Sequence, residues 1–193
     1  KTSLIKEIKK NPPDILGLTN YLWNNNLAIR IANIAKKINP NVLIVFGGPE
    51  IDKSPENQSI MYEKYSIADF FIQYEGELAF ANLVKRYLEL DLDKNKLKKE
   101  ILKLGNCFII ENNEIISGPN LHRIEDLDLT PSPYTTGLLD KFLEDPDYMP
   151  MIQTNRGCPF SCTFCQEGEA YFNKVRRKSL AFVKAEIDYI STR

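Results

Sequence analysis

Three short apolar runs, spaced by helix-like stretches, constrain this chain more than any other feature. They are Asp14-Ile15-Leu16-Gly17-Leu18-Thr19, Val42-Leu43-Ile44-Val45-Phe46 and Ala68-Asp69-Phe70-Phe71-Ile72-Gln73. They recur with a period of roughly 25–30 residues, the spacing of βαβ units in a parallel sheet. Continuous apolar runs of this length read as strands buried on both faces, the first run included. Helical spacing fills the gaps. Lys1 to Lys10 carries Leu4, Ile5 and Ile8 before Asn11-Pro12-Pro13 stops it. Leu27, Ile31, Ile34 and Ile38 fall on one face of a helix that Asn24 to Asn26 can cap. Ser54 to Tyr65 reads as a helix, and the next has Phe80, Leu83, Val84 and Tyr87 inward. The fold class is therefore α/β, a doubly wound, Rossmann-like parallel sheet.

In such sheets ligands bind beyond the carboxyl ends of the strands. That rule selects three loops: Thr19-Asn20-Tyr21, Gly47-Gly48-Pro49-Glu50 and Glu75-Gly76-Glu77. Gly47 and Gly48 permit close approach of backbone to a large ligand, and they equally suit a tight strand-to-helix turn. G-x-G-x-x-G is absent, so a dinucleotide is not indicated.

Further along, Asp93 to Leu104 reads as a charged amphipathic helix. Asn106 to Ile110 and Glu114 to Ser117 read as a hairpin across Glu111-Asn112-Asn113. Cys107 alternates with apolar neighbours there and reads as a buried small hydrophobe. Gly118 to Gly137, with three prolines and a run of acids, reads as a connector, with His122 as a solvated residue in it. Tyr148 to Thr154 reads as a strand, and Ser179 caps a helix with Leu180, Val183, Ile187 and Ile190 on one face. Arg176-Arg177-Lys178 reads as surface where that helix starts.

Between these lies Asn155-Arg156-Gly157-Cys158-Pro159-Phe160-Ser161-Cys162-Thr163-Phe164-Cys165, with cysteines in the pattern C-x3-C-x2-C. Three thiolates on one loop can hold three irons of a cubane [4Fe–4S] cluster, whose usual protein site supplies four. The remaining iron is then open to a non-protein ligand. A structural zinc site normally takes four protein ligands in two pairs, and the only other cysteine and histidine, Cys107 and His122, lie well upstream. Three thiols without metal would be an oxidation liability.

This loop resembles that of the radical S-adenosylmethionine (SAM) enzymes. The resemblance implies that Cys158, Cys162 and Cys165 hold the cluster, that SAM chelates the open iron and is cleaved to a 5′-deoxyadenosyl radical, and that Phe164 sits near the adenine. The order of strand, Gly-Gly-Pro-Glu loop, strand, Glu-Gly-Glu loop, connector and cysteine loop is similar to the cobalamin (B12)-binding group of that family. By that likeness Thr19, Gly47, Gly48, Glu75 and Glu77 surround cobalamin. The D-x-H-x-x-G loop that often gives cobalt a histidine is not found here. Members of the group bind cobalamin with or without that histidine, and others keep the domain without the cofactor. The resemblance divides the chain into a cobalamin-binding-like domain over 1–117, a linker over 118–147, and from 148 to 193 the first β/α unit of a partial (β/α)6 barrel.

Composition agrees with a globular protein: 43% hydrophobic, 26% charged and a net charge of −1, which argues against a nucleic-acid surface. No run of eighteen apolar residues spans a membrane. Reduced thiols imply the cytoplasm. The chain starts at Lys1 and stops at Arg193 inside helical spacing, so a piece of a longer protein is expected. The expected activity of the full protein is reductive SAM cleavage in the service of methyl transfer or oxidative cyclisation. Its substrate is an unidentified small molecule, and its reductant a flavodoxin or ferredoxin. The alternative is a cobalamin-binding or interaction module without catalysis. A methylthiolating enzyme would carry a second cysteine triad upstream, where only Cys107 is present.

Overall fold

The computed structural model describes residues 2–51, 54 and 57–193. Lys1 and residues 55–56, part of two expected helices, lie outside the described residues. The chain forms two compact units, Lys1–His122 and Arg123–Arg193.

The first unit opens with helix α1 (Thr2–Lys10) and strand β1 (Ile15–Thr19). Helix α2 (Asn25–Ile38) leads to strand β2 (Leu43–Gly47), and α3 (Gln58–Lys64) to β3 (Phe70–Ile72). Helices α4 (Gly76–Glu89) and α5 (Lys94–Lys99) precede the hairpin β4 (Cys107–Glu111) and β5 (Glu114–Ser117). All five strands share one sheet in the order β1-β2-β3-β4-β5. The first three run parallel, with Ile15 opposite Leu43 and Val45 opposite Phe70. The hairpin joins antiparallel to β3, with Ile72 opposite Cys107. Asn112 and Asn113 both take left-handed φ, 51° and 60°, as a two-residue hairpin turn requires.

Two apolar layers sandwich the sheet. On one face Leu43, Val45, Phe70 and Ile72 pack against Ala79, Leu83 and Tyr87 of α4 and Leu97 of α5. On the other, Ile44, Phe46 and Phe71 pack against Ala28, Ala32 and Ala35 of α2 and Met61 of α3. β2 is buried on both faces as expected. β1 is not: it ends the sheet, and Gly17 and Thr19 are exposed. The buried stripe of α2 is alanine rather than the Leu27 stripe, with Leu27 itself 47% exposed. Small side chains let the helix approach the strands closely, and the larger residues flank that contact. The expected 93–104 helix divides into α5 and a 3-10 turn, Ile101–Lys103.

The second unit contains a short helix α6 (Asp140–Leu143), a two-residue ladder of β6 (Asn155–Arg156) with β7 (Arg176–Arg177), and helix α7 (Leu180–Ser191). Tyr148 to Thr154 forms no strand, because no described segment pairs with it. Instead the Tyr134 hydroxyl donates to the Met151 carbonyl at 2.8 Å and accepts from its amide at 2.9 Å. Ser179 caps α7 through the Phe182 amide, as expected. The apolar face of α7 is only partly covered: Leu180 is 88% and Ile187 50% exposed, while Glu186 is buried with Lys178 Nζ 3.4 Å away. Arg176 of the basic run is buried too, donating to the Ile124 carbonyl.

Candidate functional site

The parallel strands end at a cavity of about 410 Å³ on the α4 side of the sheet. Val45, Ile72 and Phe80 give it apolar walls, and Thr19, Tyr74 and Glu77 stand around it. Gly17, Gly47, Gly48 and Gly76 leave backbone exposed along it. Thr19, Gly47, Gly48 and Glu77, singled out from the sequence, thus come together here. Glu75 precedes α4 outside the lining.

The two glycines after β2 have different reasons to be glycine. Gly48 has φ +103°, and a Cβ there would lie 2.7 Å from the Asn20 carbonyl oxygen, so the turn itself demands glycine. At Gly47 a Cβ would meet only ordinary contacts, 3.6 Å from the Ile72 carbonyl oxygen, so its bareness leaves the cavity wall open. Phe80 lies against Gly17 of β1, 3.2 Å from where a Cβ would stand.

A buried polar network ties the loops behind this cavity. The Asn20 amide donates to the Gly47 carbonyl at 2.7 Å, and the Glu50 amide to the Asn20 carbonyl at 3.2 Å. The Tyr65 hydroxyl accepts from Asn20 Nδ2 at 2.5 Å and from Asn25 Nδ2 at 2.6 Å. Sequence reasoning missed this network, since its partners are 40 and 45 residues apart. The asparagines next to the Tyr21–Trp23 segment were the one available hint. In that loop Tyr21 and Trp23 stack at 4.7 Å, and Trp23 is 81% exposed. A second cavity, about 540 Å³, opens at the amino ends of the strands among Asp14, Asn41, Asp91 and Lys94. It is the larger of the two, but it sits at the wrong end of a parallel sheet for the ligand rule, and its lining is mostly polar.

The cysteine loop lies in the second unit, between β6 and β7. Gly157 has φ +97°, and a Cβ there would collide with the carbonyl oxygens of Lys174 and Phe172. The Cys158 amide donates to the Phe172 carbonyl at 2.9 Å. The Cys165 amide donates to the Cys162 carbonyl at 3.2 Å, and the Gly168 amide to the Cys165 carbonyl at 2.9 Å. Cys158 is half-buried, and Cys162 and Cys165 are exposed. Among the described residues no three of these ligand types are gathered as a metal site. Backbone hydrogen bonds hold the loop, and its three cysteines form no disulfide. The donor set, three accessible thiols within eight residues, fits a cluster held on three corners. Phe164 is 92% exposed beside Cys165. Cys107 is no fourth ligand: it is 2% exposed in β4, and burial pushes its thiol up to about 12. His122 is exposed and lines neither cavity.

Residues 1–84 match the family of B12 binding domains. Over 184 residues the chain is 32% identical to the cobalamin-dependent radical SAM methyltransferase TokK of Streptomyces tokunonensis, covering 93% of this chain and 26% of that protein. It is 33% identical over 190 residues to an uncharacterized methyltransferase of Pyrococcus horikoshii, covering 98% of this chain and 39% of that one. The fold is similar to the cobalamin-dependent SAM radical enzyme OxsB with aqua-cobalamin bound, with a TM-score of 0.70 at 22% identity over 98% of this chain and 25% of that one. The chain thus spans a quarter to two fifths of the length of these proteins.

Proposed function

We propose that this chain, whose residues 1–84 match the B12-binding domain family and which is similar to cobalamin-dependent radical SAM methyltransferases, binds cobalamin at the carboxyl end of its sheet and a [4Fe–4S] cluster at its cysteine loop, as part of an enzyme that transfers a methyl group to an unactivated substrate. One observation carries this reading: Thr19, Gly47, Gly48 and Glu77 converge on a single cavity, and all four lie within the matched segment. The cavity fits the cofactor in kind. Its apolar walls suit a flat ring system, and its bare glycine backbone admits a large ligand to within contact distance. Thr19 offers a hydroxyl and Glu77 a carboxylate at its edge. The Asn20–Tyr65 network fixes the two loops before any ligand arrives, which lowers the ordering cost of binding.

Cobalamin supplies methyl-group transfer when bound, and a reduced cluster supplies the electron that cleaves SAM. The residues of this chain bind and orient those groups. Cys158, Cys162 and Cys165 would hold the cluster, and Phe164 would sit near the adenine of SAM. Electrons come from a flavodoxin or ferredoxin, and SAM and the methyl acceptor are small molecules. Work of this kind is done in the reducing cytoplasm, and no helix of the described residues is long and apolar enough to cross a membrane.

A second reading is a cobalamin carrier that leaves SAM intact, which the match of residues 1–84 to B12 binding domains supports by itself. Anaerobic reconstitution separates the two. The enzyme reading expects iron near four and cobalt near one per chain, with SAM-derived 5′-deoxyadenosine formed by the full-length protein. Cobalt without iron would leave the carrier.

A further inference from the structure

Arg123 lies in the stretch that reads as a connector, yet its guanidinium reaches residues 48 and 51 positions ahead. Its Nη1 donates to the carbonyls of Tyr171 and Lys174, both at 3.0 Å. The guanidinium also lies over the rings of Tyr171 and Phe172, 5.4 and 5.6 Å from their centroids. One cation therefore gathers both ends of the turn 171–174. The cysteine loop leans on that same turn. The Cys158 amide donates to the Phe172 carbonyl, and Gly157 backs onto the carbonyls of Phe172 and Lys174. The neighbouring Lys174–Glu125 pair, at 2.9 Å, is exposed on both sides and contributes little. A guanidinium shared between two carbonyls and two rings holds far better, since its hydrogen bonds are charge-assisted and its planar face stacks.

We propose that Arg123 is the positioning residue of the cysteine loop: by gathering the Tyr171 and Lys174 carbonyls it holds the Phe172 carbonyl between them for the Cys158 amide, and so sets the first thiol for a cluster. The proposal rests on the cluster reading given above. It adds that the support comes from the connector, more than thirty residues before the cysteines. It also accounts for Gly157: a side chain there would push the turn off Arg123.

The test uses the whole chain with Arg123→Met and Arg123→Lys, and two readouts. The first is amide hydrogen exchange at Cys158 without metal. The second is iron per chain, with the paramagnetic resonance spectrum of the reduced cluster, after anaerobic reconstitution. Arg123→Met is expected to speed exchange at Cys158 by about tenfold or more, with β2 and β4 unaffected, and to cut iron uptake at least by half. Arg123→Lys is expected to fall between Arg123→Met and the wild type in both, because a single nitrogen can still donate to both carbonyls while the planar face that stacks on the rings is lost. Wild-type exchange and spectrum in Arg123→Met would overturn the proposal, and so would Arg123→Lys performing no better than Arg123→Met. Failure of the wild type to take up iron would overturn the cluster reading instead, leaving the exchange comparison to decide the role of Arg123.

Discussion

Tyr74 has φ 60°, in the left-handed region that a bulky side chain rarely occupies, and it lines the cavity at the strand ends. Backbone strain of this kind costs on the order of 1–3 kcal/mol and collects at functional sites. Tyr74→Gly should therefore raise unfolding stability by about 1 kcal/mol in urea titrations, while weakening binding of aqua-cobalamin. A stabler variant that binds as well as the wild type would remove Tyr74 from the site. Cys107 makes a complementary case. Its folded thiol, pushed up to about 12 by burial, lies above the ordinary value of 9.0. The unfolded chain thus loses this proton first as pH rises, so the contribution of Cys107 to stability is intact below pH 9 and is lost between about 9 and 12. The difference in melting temperature between wild type and Cys107→Ala should change over that window alone. Thiol labelling of the native chain near neutral pH should reach Cys158, Cys162 and Cys165 and spare Cys107.

At the scale of elements, α4 and α7 differ in what their apolar residues do. Leu83 of α4 is fully buried against the sheet, and Leu83→Ala should cost about 2–5 kcal/mol. Leu180 of α7 stands 88% exposed, and Leu180→Ser should change stability by no more than about 0.5 kcal/mol. Urea midpoints of the two variants check both figures. The contrast also marks where sequence reading works. Val42 to Phe46 was legible because a strand buried on both faces needs an unbroken apolar run, and the structure buries it so. The face of α2 was misjudged because Ala28, Ala32 and Ala35 carry a weak hydrophobic signal yet allow the closest packing. β1 looks like a central strand from its composition, and only the sheet order shows it at an edge. Tyr148 to Thr154 has strand composition, but a strand exists only where a partner pairs with it. That Thr19, Gly47, Gly48 and Glu77 line one cavity was legible because the strand-end rule needs only strand positions. The roles of Tyr65, Asn20 and Arg123 were not, because these depend on contacts across 40 residues or more.

Considered as a whole, the molecule carries one candidate site in each of its two units. The first is a preformed cavity at the end of a parallel sheet, and the second a loop with a fixed backbone and free thiols. The two make different demands on a ligand. The cavity stands open at the strand ends, whereas three thiols on one loop would take their final arrangement with the metal, as structural metal sites commonly do. The account therefore stands first on cobalamin in the cavity. The most direct measurement is a titration of the chain with aqua-cobalamin, followed by absorption, for wild type and Gly47→Val. A Cβ at Gly47 meets only ordinary contacts on the cavity wall, and an unchanged urea midpoint checks that the variant is folded. The account predicts one cobalamin per wild-type chain and at least about a tenfold weaker affinity for Gly47→Val. Equal affinity of the two folded proteins, or no binding by the wild type, would contradict it.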